Sequence, residues 1–245
     1  AVTPIVAVPT TSGTGSEVGR AAIITNSTSK LKLIIFHPKM LPSRVIADPE
    51  LTAGMPKKLT AATGMDALAH NLEAYCSPLF HPMAAGIALE GMRLIAESLE
   101  VAFNDGSNLE ARSKMLAASI MGATAFQKGL GAIHSLSHPL GGKYDLHHGM
   151  LNAVLMPYVL AANRSAIEGE LTDLARALDV PGHSPEGLIQ WVLDLRKEVG
   201  IPHTLADMDI PADDAAKIGA MAIEDPTAGG NPIPFTADQY AALFL

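Results

Sequence analysis

The sequence is poor in the features that mark specialised protein classes. Among its 245 residues there is one cysteine, Cys76, so no internal disulfide can form, and such thiol usage fits a reducing compartment; a cytoplasmic location is the expectation. No His or acid motif accompanies Cys76, which reads as a structural or incidental thiol rather than a nucleophile. There is no unbroken apolar run long enough to span a bilayer. A basic segment followed by an apolar stretch and a cleavage site is absent too. Positive charge is scarce: 17 Lys and Arg stand against 25 Asp and Glu, a net charge of −8. An acidic body repels phosphate backbones, so neither nucleic acid nor membrane is expected as a partner. At 48% apolar and 17% charged, the chain is neither disordered nor, with 21 Gly and 17 Pro in no G-X-Y period, collagenous.

What is present divides near residue 55. Before it, short β-branched runs at Pro4 to Val8, Ala21 to Thr25, Leu31 to Phe36 and Arg44 to Ala47 read as strands. Gly13, Gly15, Gly19, Asn26, Ser27, Pro38 and Pro42 punctuate them. After Pro56 the spacing becomes helical, over Leu59 to Tyr75, Met83 to Ala102, Leu109 to Lys128, Gly149 to Asn163, Glu168 to Leu178 and Pro185 to Val199. These stretches are rich in Ala, Leu and Met and poor in aromatics, which suits close helix-on-helix packing. Residues 1–54 carry five basic groups (Arg20, Lys30, Lys32, Lys39, Arg44) against three acids (Glu17, Asp48, Glu50), so the acidity belongs to the helical part. The expected fold is therefore mainly α: a short β-rich segment, 1–54, then an all-helical domain, 55–245. Four strands without crossover helices either form an antiparallel cap on the bundle or belong to an α/β sheet whose remainder is not in this sequence; the second is favoured.

The chemistry sits on histidines. Three of the nine, His134, His138 and His148, fall within fifteen residues in G-A-I-H-S-L-S-H-P-L-G-G-K-Y-D-L-H-H-G, with His147 beside the last. Upstream, G-M-D-A-L-A-H places Asp66 and His70 at i and i+4, on one helix face and one turn apart. His134 and His138 repeat that spacing, although Pro139 is expected to end regular helical bonding soon afterwards. A carboxylate among imidazoles in an apolar setting suits a borderline divalent metal. Such a pair also arises on helices with no metal. The front motif, P-T-T-S-G-T-G-S-E from Pro9 to Glu17, follows a strand and offers N–H and hydroxyl donors to a phosphate or sugar. It reads equally as a plain turn, and Thr14 with Glu17 as a capping box; it is neither a P-loop nor G-x-G-x-x-G.

These stretches, with D-P-E-L-T-A-G-M-P at Asp48 to Pro56 and E-D-P-T-A-G-G-N-P-I-P around Asp225, resemble the iron-containing (group III) alcohol dehydrogenases nearly end to end. The resemblance implies that 1–54 is a remnant of an α/β dinucleotide-binding domain and that 55–245 holds the metal. It implies that Asp66, His70, His134 and His148 bind Fe2+ or Zn2+, and that His138 lines the nicotinamide side and helps proton transfer. Thr10, Thr11, Lys32, Leu51 and Gly54 match positions near NAD(P) in relatives, and Gly19 and Ala21 match others where only backbone serves. Lys32 beside Lys30 also reads as a solvated lysine. The implied reaction moves hydride between a primary alcohol or aldehyde and NAD(P), the metal polarising the substrate oxygen, in a homodimer or higher homo-oligomer. Maleylacetate reductases resemble the same family but carry Asn where Asp66 stands, so the Asp points to the metal-dependent branch. The family's G-G-G-S phosphate loop is absent here and is expected upstream of Ala1, so the chain alone is expected to be incomplete and inactive. Two alternatives remain: a metal- and nicotinamide-dependent lyase like the dehydroquinate synthases, and a non-catalytic metal-binding helical module.

Overall fold

The computed structural model describes residues 3–25 and 32–244. Four strands lead: β1 (Val6–Ala7), β2 (Ala21–Thr25), β3 (Lys32–Phe36) and β4 (Arg44–Val45). The expected turn at Asn26 and Ser27 and the strand start at Leu31 lie outside the described residues. β2 and β3 form an antiparallel pair with Ile23 opposite Ile34. β1 and β4 pair in parallel, Val6 opposite Arg44 and Ala7 opposite Val45. The parallel pair agrees with the favoured expectation, part of an α/β sheet, and the segment carrying the antiparallel β2–β3 pair connects its two strands. β1 and β4 are shorter than the runs that suggested them. Ser43 N–H to the Ile5 carbonyl at 2.8 Å and Ile46 N–H to the Ala7 carbonyl at 2.9 Å extend the ladder, beyond which Pro4, Pro9 and Pro42 carry no N–H.

The rest is helical, as expected: α1 (Lys57–Cys76), α2 (Pro82–Asn104), α3 (Leu109–Ala125), α4 (Ala132–Tyr144), α5 (His148–Asn163), α6 (Glu168–Ala177), α7 (Pro185–Glu198), α8 (Ala215–Ile223) and α9 (Ala237–Phe244). Six match the periodic stretches within a few residues; α3 tightens into a 3-10 turn at Phe126–Lys128. Among the described residues no helix is long and apolar enough to cross a membrane.

α4 corrects the expectation at Pro139, which sits inside the helix. A proline forfeits one helical hydrogen bond, but tertiary contacts hold this helix from its start. Ala132 N–H donates to Asn231 Oδ1 at 3.1 Å and Ile133 N–H to Glu73 Oε1 at 2.7 Å. α9, also unforeseen, opens on a reciprocal box: Gln239 N–H donates to Thr236 Oγ1 at 3.2 Å, and Thr236 N–H to Gln239 Oε1 at 2.8 Å.

α1 is the central rod, with 16 of its 20 residues buried. α2, α3 and α5 pack around it. Met65, Leu68, Leu72, Met92, Ile95 and Leu99 lie in the core, each side chain of this kind contributing about 1.5–3 kcal/mol when fully buried. Asn71 ties the layers together, donating through Nδ2 to the carbonyls of Ala67 at 2.8 Å and Ala118 at 3.1 Å. The hydroxyl turn docks on α3, where Ser119 Oγ donates to the Gly13 carbonyl at 3.0 Å. Gly15 adopts a φ of 66°, and a Cβ there would stand 2.4 Å from the Ser119 carbonyl oxygen, so both conformation and space require glycine.

The tightest approach relevant to chemistry lies between α5 and α1. A Cβ on Gly149 would stand 2.2 Å from the Ala62 carbonyl oxygen and 3.0 Å from Asp66 Cβ. Gly149→Ala therefore forces α5 away from α1. A loss of about 1–3 kcal/mol, typical of core overpacking, is expected in urea unfolding.

Candidate metal centre

Three helices converge beside α1's midpoint. α1 supplies Asp66 and His70, α4 supplies His134 and His138, and α5 begins with His148. One ligand atom from each of Asp66, His134 and His148 falls within 4.8 Å of the others, the sole such cluster of three or more among the described residues. Asp66 is 4% exposed and His134 1%. His70 lies alongside this trio rather than in it. Its ring stacks on His134 with centroids 4.6 Å apart, and its Nδ1 stands 3.9 Å from Asp66 Oδ2. That Nδ1 is buried with no hydrogen-bond partner among the described residues, and an orphaned buried polar atom costs about 1–3 kcal/mol. The donor set, one carboxylate with imidazoles, and the orphaned nitrogen beside it fit a borderline divalent cation.

Two residues that sequence reasoning passed over complete the cluster. Asn152, one turn after His148, points its Nδ2 at Asp66 Oδ1 (2.7 Å), His148 Nε2 (3.1 Å) and His134 Nε2 (3.2 Å). An amide nitrogen only donates, and its two N–H groups serve Asp66 and one of the two imidazole nitrogens, which then presents its lone pair. Its Oδ1 is buried without a partner. Glu73 stands behind His134, its Oε2 2.6 Å from Nδ1. The signals were there, His148 to Asn152 at i+4 and His70 to Glu73 at i+3, but amides and acids are common at such spacings.

His138 is not a member of the trio. It faces the same space, its ring stacked on His148 at 5.3 Å and 14°. Its Nδ1–H donates to Asp225 Oδ2 at 2.9 Å, and Asp225 is held in turn by Thr227 N–H at 2.9 Å and Thr227 Oγ1–H at 2.6 Å. Asp225 is a third residue to which sequence reasoning gave no role.

Electrostatics favour a charged Asp66 among neutral imidazoles. Burial opposes the Asp66 carboxylate, but His70, His148, His134 and the Asn152 amide hold its carboxyl below the ordinary range. Burial also pushes His134 and His148 well below the usual imidazole range, so both are neutral near pH 7. The Cys76 thiol, pushed up to about 12 by burial, is in no state to act as a nucleophile.

The expected cofactor positions line the strand-rich front. Thr10, Thr11, Ala21, Leu51 and Gly54 are exposed and Gly19 is partly so. Because β1 and β4 are parallel, the turn bearing Thr10 and Thr11 and the segment leading to Leu51 and Gly54 leave from the same, carboxyl end of the pair. Lys32 opens β3, and its side chain lies outside the described residues. The hydroxyl turn reaches the cluster through Thr14, whose Oγ1 donates to Asp66 Oδ2 at 3.4 Å. Thr14 and Glu17 make no capping box: the 3-10 turn Ser16–Val18 is preceded by Gly15 with no capping side chain. Glu17 is instead buried, which raises its carboxyl above the usual range.

Residues 60–245 match the Fe-containing alcohol dehydrogenase family, C-terminal, and residues 1–49 match Iron-containing alcohol dehydrogenase. The chain belongs to the iron-containing alcohol dehydrogenase family. It is 46% identical over 245 residues to a 4-hydroxybutyrate dehydrogenase of Cupriavidus necator, covering 97% of this chain and 64% of that protein. Among solved structures, a 1,3-propanediol oxidoreductase superposes with a TM-score of 0.95 at 41% identity, over 98% of this chain and 65% of the other. A sulfoacetaldehyde reductase from Bifidobacterium kashiwanohense in complex with NAD+ gives 0.92 at 30%, over 100% and 64%. The chain thus spans slightly under two thirds of the length of these members of the iron-containing family.

Asp66→Asn removes the one anionic group of the trio. Its Zn(II) affinity, measured by chelator competition, is expected to fall by more than the roughly 10–100-fold that loss of an outer-shell partner costs.

Proposed function

We propose that this chain carries the metal- and substrate-holding part of an oxidoreductase that moves hydride between a primary alcohol or its aldehyde and NAD(P). The observation that carries this reading is the convergence of buried Asp66 and His134 with half-buried His148 in a chain of the iron-containing alcohol dehydrogenase family. These three residues hold Fe2+ or Zn2+, with His70 as the fourth ligand. When bound, the cation supplies a Lewis acid that lowers the pKa of a substrate hydroxyl.

The chain's own residues do the rest. Asp66 with neutral imidazoles leaves a dication short of neutralisation by one charge, which favours an anionic oxygen over a neutral one. His138, with its Nδ1–H committed to Asp225, keeps Nε2 free to take the hydroxyl proton and to return it in the aldehyde-reducing direction. The ring of His138, stacked on His148, is fixed by that contact and by Asp225, so the acceptor nitrogen does not wander. The apolar helices around the cluster shelter Asp66 and His134 from water and leave His138 and His148 partly open to a substrate. Thr14 links the hydroxyl turn to Asp66, which sets the nicotinamide side of the cofactor against the substrate side. Thr10, Thr11, Leu51 and Gly54 would hold NAD(P) at the carboxyl ends of the parallel strands, where open α/β sheets place ligands, with Gly19, Ala21 and Lys32 beside them at the antiparallel pair.

The substrate is a short primary alcohol, the class that the names of the matched dehydrogenases share. A single buried thiol fits a cytoplasmic setting and the family reading a homo-oligomer. The decisive experiment is metal analysis of protein reconstituted with Fe(II) or Zn(II), with NADH formation from 1,3-propanediol or 4-hydroxybutyrate, before and after chelation, measured on a chain extended to the length of the matched relatives. Failure to retain either metal would end this reading. In the holoenzyme, His138→Ala should keep its metal and lose roughly 10²–10⁴-fold in turnover, the usual worth of a positioned acid–base group. Loss of metal in that variant would make His138 a ligand, and full turnover would make it structural.

A further inference from the structure

Glu73 lies on α1 one turn beyond His70, is 8% exposed, and has no part in the chemistry assigned above. Both of its oxygens are committed. Oε1 accepts the Ile133 N–H at 2.7 Å, in the first turn of α4, and Oε2 meets His134 Nδ1 at 2.6 Å. Burial pushes the Glu73 carboxyl up to about 7, so on the alkaline side of neutrality it is a carboxylate that only accepts, calls for the proton of His134 on Nδ1 and leaves Nε2 with its lone pair. Asn152 Nδ2, 3.2 Å from Nε2 on the opposite side, suits the same tautomer when one of its two N–H groups turns there. The Glu73 contact, with Asn152 in support, thus aims one particular nitrogen of His134 at Asp66 and His148.

We infer that Glu73 is a positioning residue of the metal site, fixing the tautomer and angle of His134 while it anchors the start of the helix that carries His134 and His138. The inference rests on the reading of Asp66, His134 and His148 as ligands. One carboxylate thus joins two jobs, because α4 cannot shift along its axis without pulling Ile133 off Oε1 and turning His134 away from Oε2. Outer carboxylates of this kind hold ligating imidazoles in place and raise their basicity.

Glu73→Gln separates this role from simple packing, since the shape is kept and one acceptor becomes a donor. The Ile133 N–H cannot accept, so the amide must turn its oxygen there and present N–H to His134 Nδ1. The imidazole proton then moves to Nε2, the nitrogen meant for the cation. The opposite amide orientation sets two N–H groups against each other at Ile133.

The experiment measures Zn(II) affinity by competition with a chromophoric chelator for the wild type, Glu73→Gln and Asp66→Asn, with thermal unfolding to check folding. Proton–nitrogen NMR of the metal-free protein at mildly alkaline pH reads the His134 tautomer. Glu73→Gln is expected to stay folded, to bind Zn(II) roughly 10–100-fold more weakly, and to move the His134 proton from Nδ1 to Nε2. A merely structural Glu73 would leave the tautomer alone. Unchanged Zn(II) affinity in folded Glu73→Gln, or an Nε2-protonated His134 in the wild type, would overturn the inference. If the variant does not fold, the wild-type tautomer decides. Undiminished Zn(II) binding by Asp66→Asn would instead defeat the ligand assignment, and the tautomer measurement would still report whether Glu73 sets the ring.

Discussion

The close approach of α5 to α1 is the constraint on which the site depends. His148 begins α5, and Asp66 sits at the middle of α1; only the missing side chain of Gly149 lets the two helices come together at the Ala62 carbonyl. The distances from His148 and Asn152 on α5 to Asp66 on α1 inherit that contact. α1 bears the burden of alignment because it is surrounded: Asp66, His70 and Glu73 occupy successive turns of one buried helix and look toward α4 and α5 from a fixed frame. A rigid rod of this kind suits a site whose tolerances are tenths of an ångström.

The polar groups inside this apolar bundle are affordable only because they satisfy one another. His134 is bound on both ring nitrogens, Asp66 by Asn152 and Thr14, and His138 by an aspartate that Thr227 holds in turn. What remains unsatisfied is confined to a few atoms, among them His70 Nδ1 and Asn152 Oδ1 beside the cluster. Those residual deficits are where a cation and its remaining ligands have room to improve matters, which is how buried polar sites are kept specific rather than merely tolerated.

Local patterns were readable in the sequence and tertiary ones were not. Helical periodicity, the strand-rich front and the i,i+4 pairs at Asp66/His70 and His134/His138 are properties of neighbouring residues, and each reappears in the fold. The persistence of α4 through Pro139 is different: it depends on Asn231 and Glu73, 99 and 60 residues away from their partners. Asp225 meets His138 across 87 residues, and the stretch around it, though part of the resemblance, does not announce that partner. The same holds for the parallel pairing of β1 and β4, since two-residue strands carry no alternation from which a partner or direction could be inferred. Asn152 and the Thr236/Gln239 box were within reach of local reading, but their residue types are too ordinary to stand out.

The strand-rich front is built on a different economy from the bundle. Its ladders hold two strands each, so every strand has one side without a strand partner among the described residues, and two-stranded ribbons are marginal in water. Val6, Ile23, Ile24, Ile35 and Phe36 are all roughly half or more exposed there, at 47–58%. Stability must then be graded along the chain: amide protons of β1 to β4 exchange through cheap local openings, whereas those of α1 wait for the whole bundle to open. Exposed apolar side chains recur where α1 turns into α2, with Leu79, Phe80 and Met83 at 61–94%, so the bundle too has a surface on which copies of the molecule would adhere in concentrated solution.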